Sequence, residues 1–191
     1  MNQRRASNCL RTMNQRDVLA DGNCGYRSCQ KCLKFFKVPV TSSMQELRHQ
    51  LYELVIDRFR DLPSLVYNMK GETHCNVKNG QKSNAHDYEW IDQIYTPGEN
   101  LEGGNGPNDA LDVHYWMNDH VTLPLFALKF KRSFFCYNTL NKTTSMFLYD
   151  QENGTVQYAM YEKGYVSSPE EGSVAIVYNG TNHFEWLQPM T

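Results

Sequence analysis

The stretch LADGNCGYRSCQKCLKFF, residues 19–36, runs a polar turn into a cysteine and then into a helix. From Cys24 onward Tyr26, Cys29, Leu33 and Phe36 recur at three- and four-residue spacing, one helical stripe that stops near Pro39. Cys24 therefore sits in the first turn. Ahead of it Gly22 can take a positive φ, and the short side chains of Asp21 and Asn23 can bond back to the backbone. Such a turn aims several amides at one point beside the sulfur, as an oxyanion hole for acyl transfer requires. A helix N-terminus also favours the thiolate, the form in which a cysteine attacks.

A second helix opens with Ser43 and Glu46 at capping-box spacing, carries Leu47, Leu51, Leu54, Val55, Phe59 and Leu62, and stops at Pro63. Its stripe is aliphatic, so its role is packing; Arg48 and His49 fall to the solvated side. Residues 68–87 and 96–109 are rich in Gly, Asn, Lys and Glu and read as long loops, around a short helical island at Tyr88–Tyr95. Helix signals resume near Asn108 with Leu111, Val113, Tyr115 and Trp116, and again after Thr122, with Pro124 in a first turn. The segments RSFFCYN, SMFLYD, TVQYAMY, SVAIVYN and HFEWLQ then read as strands, broken at Asn153-Gly154, Ser168-Pro169 and Asn179-Gly180. Helices first and strands after give an α+β class, with a small sheet packed on helices.

Length and charge bound the rest. The 191 residues suit one domain over 16–191, preceded by a polar arm over 1–15. A net charge of −2 carries no basic footprint for nucleic acid or for a membrane surface. No apolar run spans a bilayer and the N-terminus lacks the apolar core of a secretory signal, which points to the cytoplasm or nucleus. In that setting Cys9, Cys24, Cys29, Cys32, Cys75 and Cys136 are expected as free thiols. The Cys29/Cys32 pair lacks the further ligands of a zinc site, since its one convincing partner is His74-Cys75 in a loop. Both belong to the helix, Cys29 buried and Cys32 at the margin.

A thiol nucleophile needs a base, and of the six histidines His183 has the most telling neighbours. Strand alternation puts His183, Glu185 and Leu187 on one face, so Glu185 can reach the imidazole and hold its Nδ1 proton. Cys24, His183 and Glu185 make a thiol, base and orienter set.

DGNCGYR at 21–27, the run from Trp116 to Asn138 ending in FFCYN, and the closing NHFEWL at 182–187 resemble the ovarian tumour (OTU) family of cysteine proteases, most of whose characterised members are deubiquitinases. The resemblance covers roughly residues 17–188 and is most specific at its two ends. It implies an OTU-like fold with a mainly antiparallel or mixed sheet between helices, Cys24 as nucleophile, His183 as general base, and Asp21 with its turn shaping the oxyanion hole. The family commonly has Asp or Asn where this chain has Glu185, which leaves Asn182 and Asp21 as further candidates for the third place. Ubiquitin or polyubiquitin, with ubiquitin-like modifiers beside them, is the implied partner of a monomer that uses no cofactor or metal. Processing of a polyprotein or another non-ubiquitin target, and non-catalytic ubiquitin binding, are the alternatives.

Overall fold

The structure, a computed structural model, describes residues 13–58, 66–67, 89–104, 111–161 and 172–189. Its strands are β1 (Met13–Arg16), β2 (Val66–Tyr67), β3 (Phe134–Asn138), β4 (Thr143–Asp150), β5 (Thr155–Tyr161), β6 (Val174–Tyr178) and β7 (Phe184–Pro189). The helices are α1 (Cys24–Phe35), α2 (Met44–Arg58), α3 (Glu89–Ile94) and α4 (Asp119–Phe130). No helix among the described residues is long and apolar enough to cross a membrane. The expected His74-Cys75 loop, the Ser168-Pro169 break and the end of the second helix at Pro63 lie outside the described residues.

The sheet is mixed, in the order β1-β7-β6-β3-β4-β5-β2. β3 runs parallel to β6 and β2 parallel to β5, and every other pairing is antiparallel. The five strands expected after residue 132 all form. β1 does not announce itself: MNQR is polar and largely exposed, and it becomes a strand by pairing with β7, Arg16 opposite Trp186. The last residues of the stretch read as an arm are thus part of the sheet.

Strand alternation sorts the apolar side chains. Phe134, Cys136, Phe147, Val174, Ile176 and Phe184 join the main core with residues from all four helices, whereas Phe135, Tyr137, Ala175, Val177 and Leu187 form a second cluster to which no described helix contributes. Among the described residues the helices therefore lie on one face of the sheet, not on both. In α2 the buried residues are Met44, Leu47, Arg48, Leu51 and Val55. Burying each of the aliphatic ones contributes about 1.5–3 kcal/mol. Arg48 is a correction, since it is fully buried and not solvated. Met44, Arg48, Leu51 and Val55 follow i, i+4, i+7, i+11, so the spacing puts Arg48 on the inner stripe and only its charge argued otherwise.

Three further expectations change. The 111–117 segment is no α-helix: only Val113–Tyr115 makes a 3₁₀ turn, because Leu111 N donates to Asp21 O (3.0 Å) and the Trp116 indole donates to Leu111 O (3.0 Å). Pro124 lies in the second turn of α4, not the first, and is buried there. Cys29 and Cys32 are both fully buried, so Cys32 is not at the margin of α1. Cys24, Cys29, Cys32 and Cys136 are free thiols.

Candidate active site

The turn before α1 is built from its own short residues. Gly22 has φ +84°, and a Cβ there would lie 2.9 Å from Leu111 Cβ, so only glycine fits. Asp21 is fully buried; its carboxylate accepts from the Asn23 amide (3.0 Å) and pairs with Arg27, Nη2 to Oδ2 at 2.5 Å. Asp21 thus folds the turn and anchors it to α1. Both oxygens are engaged by Arg27 and Asn23, and the Asn23 amide is committed to the turn.

The loop at 98–104 is strapped across this turn. Leu101 O accepts from Asn23 Nδ2 (2.9 Å) and Glu102 O from Arg27 Nη2 (3.0 Å). The Glu102 carboxylate caps α2, accepting from the Ser43 hydroxyl and from the amides of Met44 (3.1 Å) and Gln45 (3.2 Å). Ser43 Oγ accepts from the Glu46 amide (3.0 Å), so half of the expected capping box forms and Glu102 supplies the rest from a distant loop.

Cys24 is 6% exposed. Burial pushes its thiol above the ordinary value, with the Asp21 charge adding to this, while the backbone amides of Phe184, Gly25 and Cys24 itself pull the other way. The helix mouth therefore moderates the thiol pKa without bringing it below the usual range. The sulfur lies 3.9 Å from Asn182 O. Asn182 and Phe184 flank His183 in sequence, so the chain on both sides of the imidazole meets the sulfur.

His183 is held by the turn between β6 and β7. Asn179 Oδ1 accepts from the amides of Thr181 (2.9 Å), Asn182 (3.0 Å) and His183 (3.0 Å), and Asn179 N donates to His183 O (3.0 Å). The imidazole Nε2 lies 2.8 Å from Asp17 Oδ1. Its Nδ1 is buried without a hydrogen-bond partner among the described residues. The side chain of Asn182 belongs to the turn, bonded to Asn179 Nδ2 (3.2 Å) and Thr181 Oγ1 (3.2 Å).

Glu185 does not make the expected bond to Nδ1. Its carboxylate accepts from Gln15 Nε2. The carboxylate contact to the imidazole falls instead on Nε2 and comes from Asp17, a residue the sequence did not single out. The register explains this: Arg16 pairs with Trp186, so one step further Asp17 comes opposite Glu185 and diagonal to His183. Asp17, His183 and Glu185 place one ligand atom each within 4.8 Å of one another and are the one such grouping that could hold a metal among the described residues. An open pocket of about 490 Å³ lies beside them, lined also by Val18, Leu19 and Ala20.

No protein-family model matches the sequence, and no curated protein matches it significantly. Solved structures do. An OTU deubiquitinase from Wolbachia pipientis wMel is 17% identical, with a TM-score of 0.57 over 94% of this chain and 90% of that one. The chain has the OTU deubiquitinase fold. A structure of an OTU deubiquitinase from the same organism bound to ubiquitin is 16% identical, with a TM-score of 0.55 over 94% of this chain and 98% of that one. Within the OTU fold as this sequence builds it, Asp17 meets His183, Arg48 meets Asn23 and Asn179 holds the turn before His183, contacts the sequence reading did not foresee. For Asn179 the Asn-Gly dipeptide was the available signal, and for Arg48 it was its place on the inner stripe of α2.

Proposed function

We propose that the chain is a cysteine isopeptidase that hydrolyses the bond after the C-terminal Gly-Gly of ubiquitin. The observation that carries this is the imidazole of His183, which has a carboxylate on Nε2 and a buried Nδ1 without a hydrogen-bond partner among the described residues, on a chain segment whose two neighbours meet the Cys24 sulfur. The OTU fold supports the substrate class, since one structural neighbour is bound to ubiquitin.

In this reading Nδ1 takes the Cys24 proton as the sulfur attacks the carbonyl, and Asp17 steadies the imidazolium through Nε2. The oxyanion forms at the mouth of α1, beside the amides of Cys24 and Gly25. His183 then protonates the leaving amine, giving a thioester. Water, deprotonated by His183, adds to the thioester and releases the ubiquitin carboxylate, and the proton returns to the sulfur. The thiol pKa, raised by burial, fits a Cys24 that gives up its proton only as it attacks. Asp21 acts through the turn and not on the imidazole.

The test is reaction with a ubiquitin bearing a C-terminal electrophile, followed by a panel of defined chains. A covalent adduct at Cys24, absent in Cys24→Ala, is expected. Turnover retained by Cys24→Ala, or reversible association without an adduct, overturns the proposal.

A further inference from the structure

Asn23 occupies the N-cap of α1, the position where an asparagine side chain ordinarily accepts a bond from the second or third helical amide. Here it does not. Among the described residues no side chain caps α1, and Asn23 has φ −98° and ψ 7°, outside the extended region of an ordinary cap. Its amide group is turned away and held at both ends: Nδ2 donates to Leu101 O (2.9 Å) and Oδ1 accepts from Arg48 Nη1 (2.7 Å).

Arg48 is itself unusual. It is fully buried on α2, and no carboxylate is among its hydrogen-bond acceptors in the described residues. Its other donors go to the carbonyls of Ile94 (2.8 Å), Gln93 (2.6 Å) and Tyr115 (2.8 Å), and the guanidinium lies 4.2 Å over the Tyr26 ring. Burial lowers its pKa, because such a site disfavours the cation. A buried cation is costly unless its hydrogen bonds are met, and this one uses a donor to hold back the side chain best placed to close the mouth of α1.

We propose that Arg48 is a positioning residue for Cys24: by holding the Asn23 side chain off α1, it keeps the amides of Gly25 and Tyr26 open to the anion formed there. The first backbone bond of the helix runs from Arg27 N to Asn23 O, so the amides before Arg27 have no acceptor within the helix, and the second and third of the helix, Gly25 and Tyr26, are the ones an Asn23 cap would serve. The inference rests on the proposed use of Cys24, but its chemistry concerns any anion at that mouth, the thiolate included.

Two substitutions at Asn23 separate this from a purely structural role. Serine is too short to reach Arg48 and caps the helix itself, whereas alanine loses the Arg48 contact equally and cannot cap. If the open amides matter, Asn23→Ser has a lower kcat than Asn23→Ala by about tenfold or more, as for loss of an oxyanion donor, with KM little changed. A structural role gives the reverse, since the capped helix is the more stable. In Arg48→Met the freed asparagine caps α1 and kcat falls; adding Asn23→Ala to Arg48→Met then raises kcat again. If Arg48→Met does not fold, the serine and alanine pair at native Arg48 still decides.

Each variant is also alkylated with a neutral haloacetamide at neutral pH, and the rate at Cys24 is read by mass spectrometry. This keeps the two proposals apart: a wild-type protein inert to the ubiquitin probe sinks the isopeptidase, while the alkylation order still tests Arg48. Serine at or above alanine in both readouts overturns the role given to Arg48.

Discussion

Asp17 Oδ1 lies 2.8 Å from His183 Nε2, although 166 residues separate the two in the chain. Asp17 is 80% exposed at its side chain and His183 only 19%, so the carboxylate reaches the imidazole from the solvent side while Nδ1 faces inward. This polarity, a carboxylate outside and a nitrogen inside with no partner among the described residues, is what the proposed role of base to a buried thiol calls for.

Asp17 and Glu185 can be told apart by kinetics. Asp17→Asn is expected to lower kcat by about 10²-fold, because the imidazole loses the charge that steadies its protonated form. Glu185→Gln, whose partner is Gln15, is expected to stay close to wild type. Steady-state hydrolysis of a ubiquitin C-terminal amide reads both, and a larger loss in Glu185→Gln than in Asp17→Asn reverses the assignment.

Gly180 has φ +86°, and a Cβ on it would lie 2.2 Å from Leu140 Cβ. Gly180→Ala is therefore expected to cost at least about 1–2 kcal/mol from the left-handed backbone alone. It also displaces the turn that carries His183, so both melting temperature and kcat should drop. A variant that melts lower with unaltered kcat would show that the turn does not position the imidazole.

Glu102 ties the 98–104 strap to α2. Partial burial alone would raise its carboxyl pKa, but the Ser43 hydroxyl, the Met44 and Gln45 amides and Arg27 outweigh that and hold it below the ordinary value. The stabilisation is therefore present above the unfolded-state pKa and fades as the pH falls through the folded one. Glu102→Gln is expected to lose about 0.5–1 kcal/mol at neutral pH, as for a weakened helix cap. Thermal melts at neutral and acid pH check this, since the gap to wild type should close once the native carboxyl is protonated.

The buried thiols make the opposite prediction at high pH. Burial pushes Cys29 and Cys136 well above the ordinary value and Cys32 up to about 12. The folded state keeps these protons while the unfolded chain releases them, so stability falls as pH rises from about 9 toward 12. Denaturant midpoints across that range should decline, and Cys32→Ala should decline less steeply than wild type. Parallel curves for the two proteins would exclude a contribution from this thiol.

The sequence by itself determined the elements that carry their own periodicity or turn chemistry. The stripe of α1, the aliphatic face of α2, the five C-terminal strands and the Gly22 turn depend on residues near one another in the chain, and they form where the spacing put them. The proposed pairing of Cys24 with His183 came from chemistry, because few residue types can activate a thiol, and the fold brings the neighbouring Asn182 O within 3.9 Å of the sulfur. Only the tertiary structure decided the rest. β1 is one methionine followed by three polar residues, with no apolar alternation, and its register against β7 is what delivers Asp17 to His183 in place of Glu185. Arg48 looked solvated because charge outweighed spacing, and its burial becomes tolerable only when Asn23, Ile94, Gln93 and Tyr115, on three separate segments, meet around it. Local propensity is fixed by neighbours in the chain, but a polar side chain finds its partner only after distant segments have packed.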